Sequence, residues 1–145
     1  MKGINLGRVI IGGLVAGVLI NMSEFVLNTV VLKSEMEAGM KALGKTVPQT
    51  GGTLAVWTIL GFAIGIASVW LYAAMRPRYG AGAGTAARAG VVVWFFGSLV
   101  CTVIIVNMGL FPFNALPIVW ELAQAILSTI LGAWLYQERG TVPAA

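Results

Sequence analysis

The sequence predicts an all-α fold, an integral membrane bundle of four transmembrane helices, and three observations carry that expectation. Hydrophobic residues make up 59% of the 145-residue chain and charged residues only 10%, where a soluble domain carries about a quarter charged residues. The excess lies in four apolar runs, near 9–32, 53–75, 89–108 and 117–137, each close to the roughly 20 residues that cross a hydrocarbon core. Lys and Arg stand at run ends and in the connections, and mean hydropathy is +0.92. The chain reads as a single membrane domain.

The first run, from Val9 to Leu32, follows Lys2 and Arg8. At about 24 residues it gives roughly 36 Å of helix, enough to span with some tilt. A cleavable signal peptide has a shorter apolar core and a small-x-small site soon after it. Here the run continues through Phe25, Val26, Val30 and Val31, so it reads as a retained first helix. The connection from Lys33 to Gly52 opens with Met36, Met40 and Leu43 at i, i+4, i+7 and charges on the other face. That pattern predicts a short amphipathic segment lying on the membrane surface. Gly44, Pro48 and Gly51-Gly52 break it, and Thr53 is a candidate cap for the second run.

The second run, Thr53 to Met75, ends at Arg76-Pro77-Arg78 and carries Gly61-x-x-x-Gly65, a spacing that lets helix backbones approach closely. Tyr79 to Ala89 reads as a Gly/Ala connector; a phosphate-cradling glycine loop needs a preceding strand, which is missing. The third run, Ala89 to Met108, places Gly90, Trp94, Gly97 and Cys101 on one face, so Gly90 and Gly97 are candidate packing positions. An uncharged turn, Gly109 to Pro117, leads to the fourth run, which closes at Gln137-Glu138-Arg139-Gly140. Counting Lys and Arg on alternate sides gives Lys2, Arg8, Arg76, Arg78, Arg88 and Arg139 against Lys33, Lys41 and Lys45. The excess predicts both termini in the cytoplasm; small size and the absence of another targeting signal make a bacterial inner membrane the default expectation. Anionic lipid headgroups are the expected partners of Arg76, Arg78 and Arg88.

Runs two and four echo each other. Val56-Trp57 precedes a stretch ending Trp70-Leu71-Tyr72, and Val119-Trp120 precedes one ending Trp134-Leu135-Tyr136. Two parallel helical hairpins related by an axis along the membrane normal would produce this echo. So would aromatic belts at the ends of unrelated helices. Both remain open on sequence.

The polar residues within the runs carry the functional question. Asn21, Glu24 and Asn28 form a stripe on the first helix, and Glu121, Gln124 and Ser128 form one on the fourth. Thr58 is expected at the level of Glu121 if the echo is structural. No Lys or Arg lies inside a run at that level, and an unpaired charge at bilayer depth costs a few kcal/mol or more. The glutamates must therefore be protonated, hydrated, bound to a cation, or hydrogen-bonded as interhelical glue.

The chain has no histidine, no aspartate and one cysteine. This removes His-based metal sites, the usual nucleophile–histidine systems and an internal disulfide. No cofactor, metal site or catalytic constellation is expected, and basic residues at run ends do not make a nucleic-acid face. The leading expectation is a non-catalytic membrane subunit or scaffold whose polar stripes join helices or another membrane protein. The alternative is a small oligomeric proton- or cation-coupled transporter or channel using Glu24 and Glu121. Its plan is similar to that of small multidrug-resistance transporters, which also use four short helices and a glutamate in the first. That likeness is confined to architecture, and it implies a homodimer or larger assembly.

Overall fold

The computed structural model describes residues 3–47 and 50–138; Lys2, Pro48, Arg139 and the tail to Ala145, used above for charge and boundary arguments, lie outside them. The described residues form helices and no strand. α1 (Leu6–Val26) continues without a break into a wider π-helical turn, Leu27–Val31. α2 (Lys33–Ala42) follows, then α3 (Gly51–Tyr79) and α4 (Ala83–Trp94). A second π-helical turn, Phe95–Leu99, joins α4 to α5 (Val100–Asn107), and α6 (Ala115–Trp134) completes the order. Four stretches, Leu6–Val31, Gly51–Tyr79, Ala83–Asn107 and Ala115–Trp134, are long and apolar enough to span a membrane.

Helix ends differ from expectation for local reasons. α3 is capped by Thr50, whose hydroxyl accepts from the Thr53 amide at 3.2 Å, so the Gly51-Gly52 pair lies inside its first turn. Its far end runs on through Pro77 to Tyr79 and stops at Gly80, whose φ of +83° suits glycine. The expected connector shrinks because α4 already begins at Ala83. Alanine is the strongest helix former, and Thr85, Ala86, Ala89 and Gly90 form a small buried face.

The long helices touch through glycine. A Cβ on Gly12 would strike the Gly132 carbonyl of α6, and one on Gly13 would strike the Ile66 backbone of α3. Gly65 lies equally close to Gly13 and Gly17, and a Cβ on Gly61 would stand 2.6 Å from the Asn21 amide nitrogen. Gly90 packs on Ala125, where a Cβ would meet the carbonyl oxygen at 2.6 Å. Such contact without side chains in the way maximises dispersion between helices, which drives association where no water is expelled. Gly97 is different: it is exposed, and a Cβ there would have nothing within 4 Å among the described residues.

At the end away from α2, the echoed tyrosines meet. The rings of Tyr72 and Tyr136 stand edge to face, 5.9 Å apart. Each hydroxyl accepts a backbone N–H from the residue that caps a helix: Tyr72 from Gly82 before α4, and Tyr136 from Asn5 before α1, both at 3.3 Å. Arg76 lies over the Tyr136 ring at 5.7 Å and pairs with Glu138 at 3.5 Å, while Arg88 lies over Tyr79 at 5.5 Å.

Candidate functional site

The site lies in the half nearer α2 and is built from three of the four long helices. Glu24 comes from the last α-helical turns of α1, about 10 Å along the axis from Val31. Its Oε2 accepts from Asn28 Nδ2 at 2.9 Å, and its Oε1 accepts from Gln124 Nε2 on α6 at 2.8 Å. The two polar stripes thus meet directly. Beside this contact, Trp120 Nε1 donates to Ser23 Oγ at 2.8 Å. Glu121, one turn from Gln124 on α6, accepts a hydrogen bond from Ser98 of the third long helix. Trp94 Nε1 donates to the Ile118 carbonyl at 3.0 Å, a second tie between those helices.

Both π-helical turns fall at this level. In the first, Asn28 Nδ2 and Thr29 Oγ1 donate back to the carbonyls of Glu24 and Phe25 at 2.9 and 2.6 Å. Side-chain donors that reach the i−4 carbonyl compete with the helical ladder. The backbone responds by widening, with Leu32 N–H bonding the Leu27 carbonyl at 2.8 Å. The second turn contains Ser98, the donor to Glu121. π-turns are frequent at functional sites because they re-aim side chains out of helical register.

The partners of the two carboxylates are neutral. Among the described residues Glu24 has two amides and Glu121 a hydroxyl, and the Arg76–Glu138 ion pair lies at the tyrosine end. Gln124 Oε1 is enclosed and accepts no hydrogen bond from the described residues. Among the described residues no three His, Cys, Asp or Glu side chains gather. The polar atoms offered here are carboxylate, amide and hydroxyl groups, whose oxygens are hard ligands.

Other candidate residues stand apart. Asn21 donates to the carbonyls of Gly17 at 2.9 Å and Thr58 at 3.2 Å, tying α1 to α3. It is Thr58's backbone that takes part; its side chain is exposed and bonds back to Leu54 at 2.8 Å. Ser128 is fully buried and bonds within α6 to Ala125 at 3.3 Å. Thr58→Ala is accordingly expected to change thermal stability by no more than about 0.5 kcal/mol. Asn21→Ala, which strips a donor from two carbonyls, is expected to cost about 1–2 kcal/mol. A Thr58→Ala protein as unstable as Asn21→Ala would contradict this placement.

Ser98, Ser23, Trp94 and Trp120 were not expected in the site. Trp94 and Trp120 read as packing and interfacial aromatics, and a lone serine in an apolar run carries no spacing signal. The available hint was adjacency: Trp120 precedes Glu121, and Ser23 precedes Glu24. No protein-family model, curated protein or solved structure matches the chain.

Proposed function

We propose that the chain is a small polytopic membrane protein in which Glu24 and Glu121 form one proton- or cation-binding centre for coupled transport. One observation carries the reading: two carboxylates from different helices meet neutral donors alone, in chain segments apolar enough to span a bilayer. A carboxylate in such surroundings is stable when it takes up a proton or a cation. The echoed contacts of Tyr72 and Tyr136 with the caps of α4 and α1 support a bundle of two parallel hairpins about an axis along the membrane normal. The charge count supports a reading with both termini in the cytoplasm, α2 on the external side, and Arg76, Arg78 and Arg88 toward anionic headgroups. Four helices are few to enclose a pathway, so a homodimer or larger assembly is part of the proposal.

The scaffold reading keeps one observation in its favour. From Phe95 to Asn107 the third long helix buries no residue and exposes Gly97, an open face for another membrane protein. Its polar stripes, in contrast, are already used within the chain.

Flux separates the two. Purified protein in liposomes is expected to show proton- or cation-dependent flux, and Glu24→Gln and Glu121→Gln are each expected to lower it at least about tenfold while leaving the protein folded. Each change keeps shape and hydrogen-bonding capacity but removes the titratable charge. Flux that is unaltered in both variants, or absent from the parent protein, would leave the scaffold reading in its place.

A further inference from the structure

We propose that the cavity beneath α2 is the entrance to the Glu24–Glu121 centre and that α2 is its gate; this rests on the ion-binding reading above and supplies its route. A cavity of ≈ 220 Å³ lies between α2, α5 and the start of α6. That is room for several waters at about 30 Å³ each. Two of its lining residues, Thr102 and Pro117, point to where it leads. Thr102 stands four residues beyond Ser98, and Pro117 four residues before Glu121. On each helix that is about one turn toward α2. The cavity lining thus comes within about one helical turn of Ser98 and of Glu121, which bond to each other.

Its roof is α2, through Glu35 and Met36. Two contacts hold the roof down. Asn114 Nδ2 donates to Glu35 Oε2 at 2.6 Å, and Gly39 lies against the Phe111 ring so closely that a Cβ there would overlap it. Asn114 uses its other amide atom to cap α6, where Oδ1 accepts from the Leu116 amide at 2.9 Å. Releasing α2 thus leaves the cap of α6 intact. No residue of α2 is buried, so little apolar contact opposes its release, as expected of a segment that opens locally. The remaining walls are largely apolar, including Leu32, Ile105 and Val106. An apolar passage over a polar centre excludes water when narrow and admits it when widened, which is how hydrophobic gates work.

The test is thiol accessibility in the full chain. Cys101 is exposed and its thiol meets the Phe96 carbonyl at 3.9 Å, so Cys101→Ser gives the background. Thr102→Cys and Ile105→Cys then report the cavity, and Val103→Cys, on the exposed apolar face of α5, is the control. A charged, membrane-impermeant methanethiosulfonate added from the α2 side is expected to modify the two cavity positions and to spare Val103→Cys. Glu35→Ala, which removes the acceptor of the latch, is expected to raise the rate at Thr102→Cys about fivefold, the factor that losing one net hydrogen bond of ~1 kcal/mol gives. Cavity positions that react no faster than Val103→Cys, or only from the opposite side, would overturn the entrance. A rate indifferent to Glu35→Ala would overturn the gate. Labelling needs no transport, so its failure leaves the Glu→Gln flux result standing; intact labelling with no proton- or cation-dependent flux in the parent protein would instead sink the ion-binding reading.

Discussion

Gly65→Val is expected to be strongly destabilising, costing about 3 kcal/mol, the upper end for overpacking a well-packed contact. The added carbon atoms would fall on the Gly13 carbonyl and the Gly17 backbone. Neither can turn aside as a flexible side chain would, so α1 and α3 must separate. Separation also pulls Asn21 from the Thr58 carbonyl, which it reaches at 3.2 Å. Gly97→Val is the matched comparison, since open space surrounds that position and the change is expected to stay within about 0.5 kcal/mol. Unfolding in mixed micelles measures both. Equal stabilities would mean that the α1–α3 contact is not close-packed in solution.

Glu24→Leu carries the next largest effect. It leaves Gln124 Nε2 without its acceptor at 2.8 Å on a side chain whose oxygen already lacks a donor. Asn28 loses one acceptor but keeps the Glu24 backbone carbonyl at 2.9 Å. One newly stranded amide is expected to cost about 1–3 kcal/mol. Glu24→Gln, which retains a carbonyl oxygen, is expected to recover at least half of that. The double variant Glu24→Leu with Gln124→Leu removes both partners and is expected to be more stable than the two single losses predict. Strict additivity in unfolding would show that the contact does not hold α1 to α6.

The elements that announced themselves in the sequence are those governed by local rules. Apolar run length located four long helices, and methionine spacing located α2, because both follow from the helical repeat alone. The Asn21, Glu24 and Asn28 stripe was legible for the same reason. What each stripe would meet was not. Gln124 and Ser128 look equivalent along α6, yet one reaches Glu24 and the other turns back on Ala125, since only tertiary packing decides which face of a turn meets a neighbour. Gly90 and Gly97 illustrate this at seven residues' separation. The π-turn at Phe95–Leu99 lies across the second of them and shifts the helical register that would have kept the two on one face. The early start of α4 was obscured by glycines, which read as a connector until the buried small face around Ala86 is known.

The tyrosine contacts carry a consequence for how the chain is made. Tyr136 accepts from Asn5 across a separation of 131 residues, whereas Tyr72 accepts from Gly82 across only ten. The short-range contact is available as soon as α3 and the start of α4 have left the ribosome. Its long-range counterpart must wait for the fourth long helix, and so must the bonds of Ser23 and Glu24 to α6. During synthesis the carboxylate of Glu24 therefore enters its apolar segment before its inter-helix partner exists. A chain whose translation stopped before α6 would carry the Glu24 carboxylate without the Gln124 amide that meets it in the finished fold.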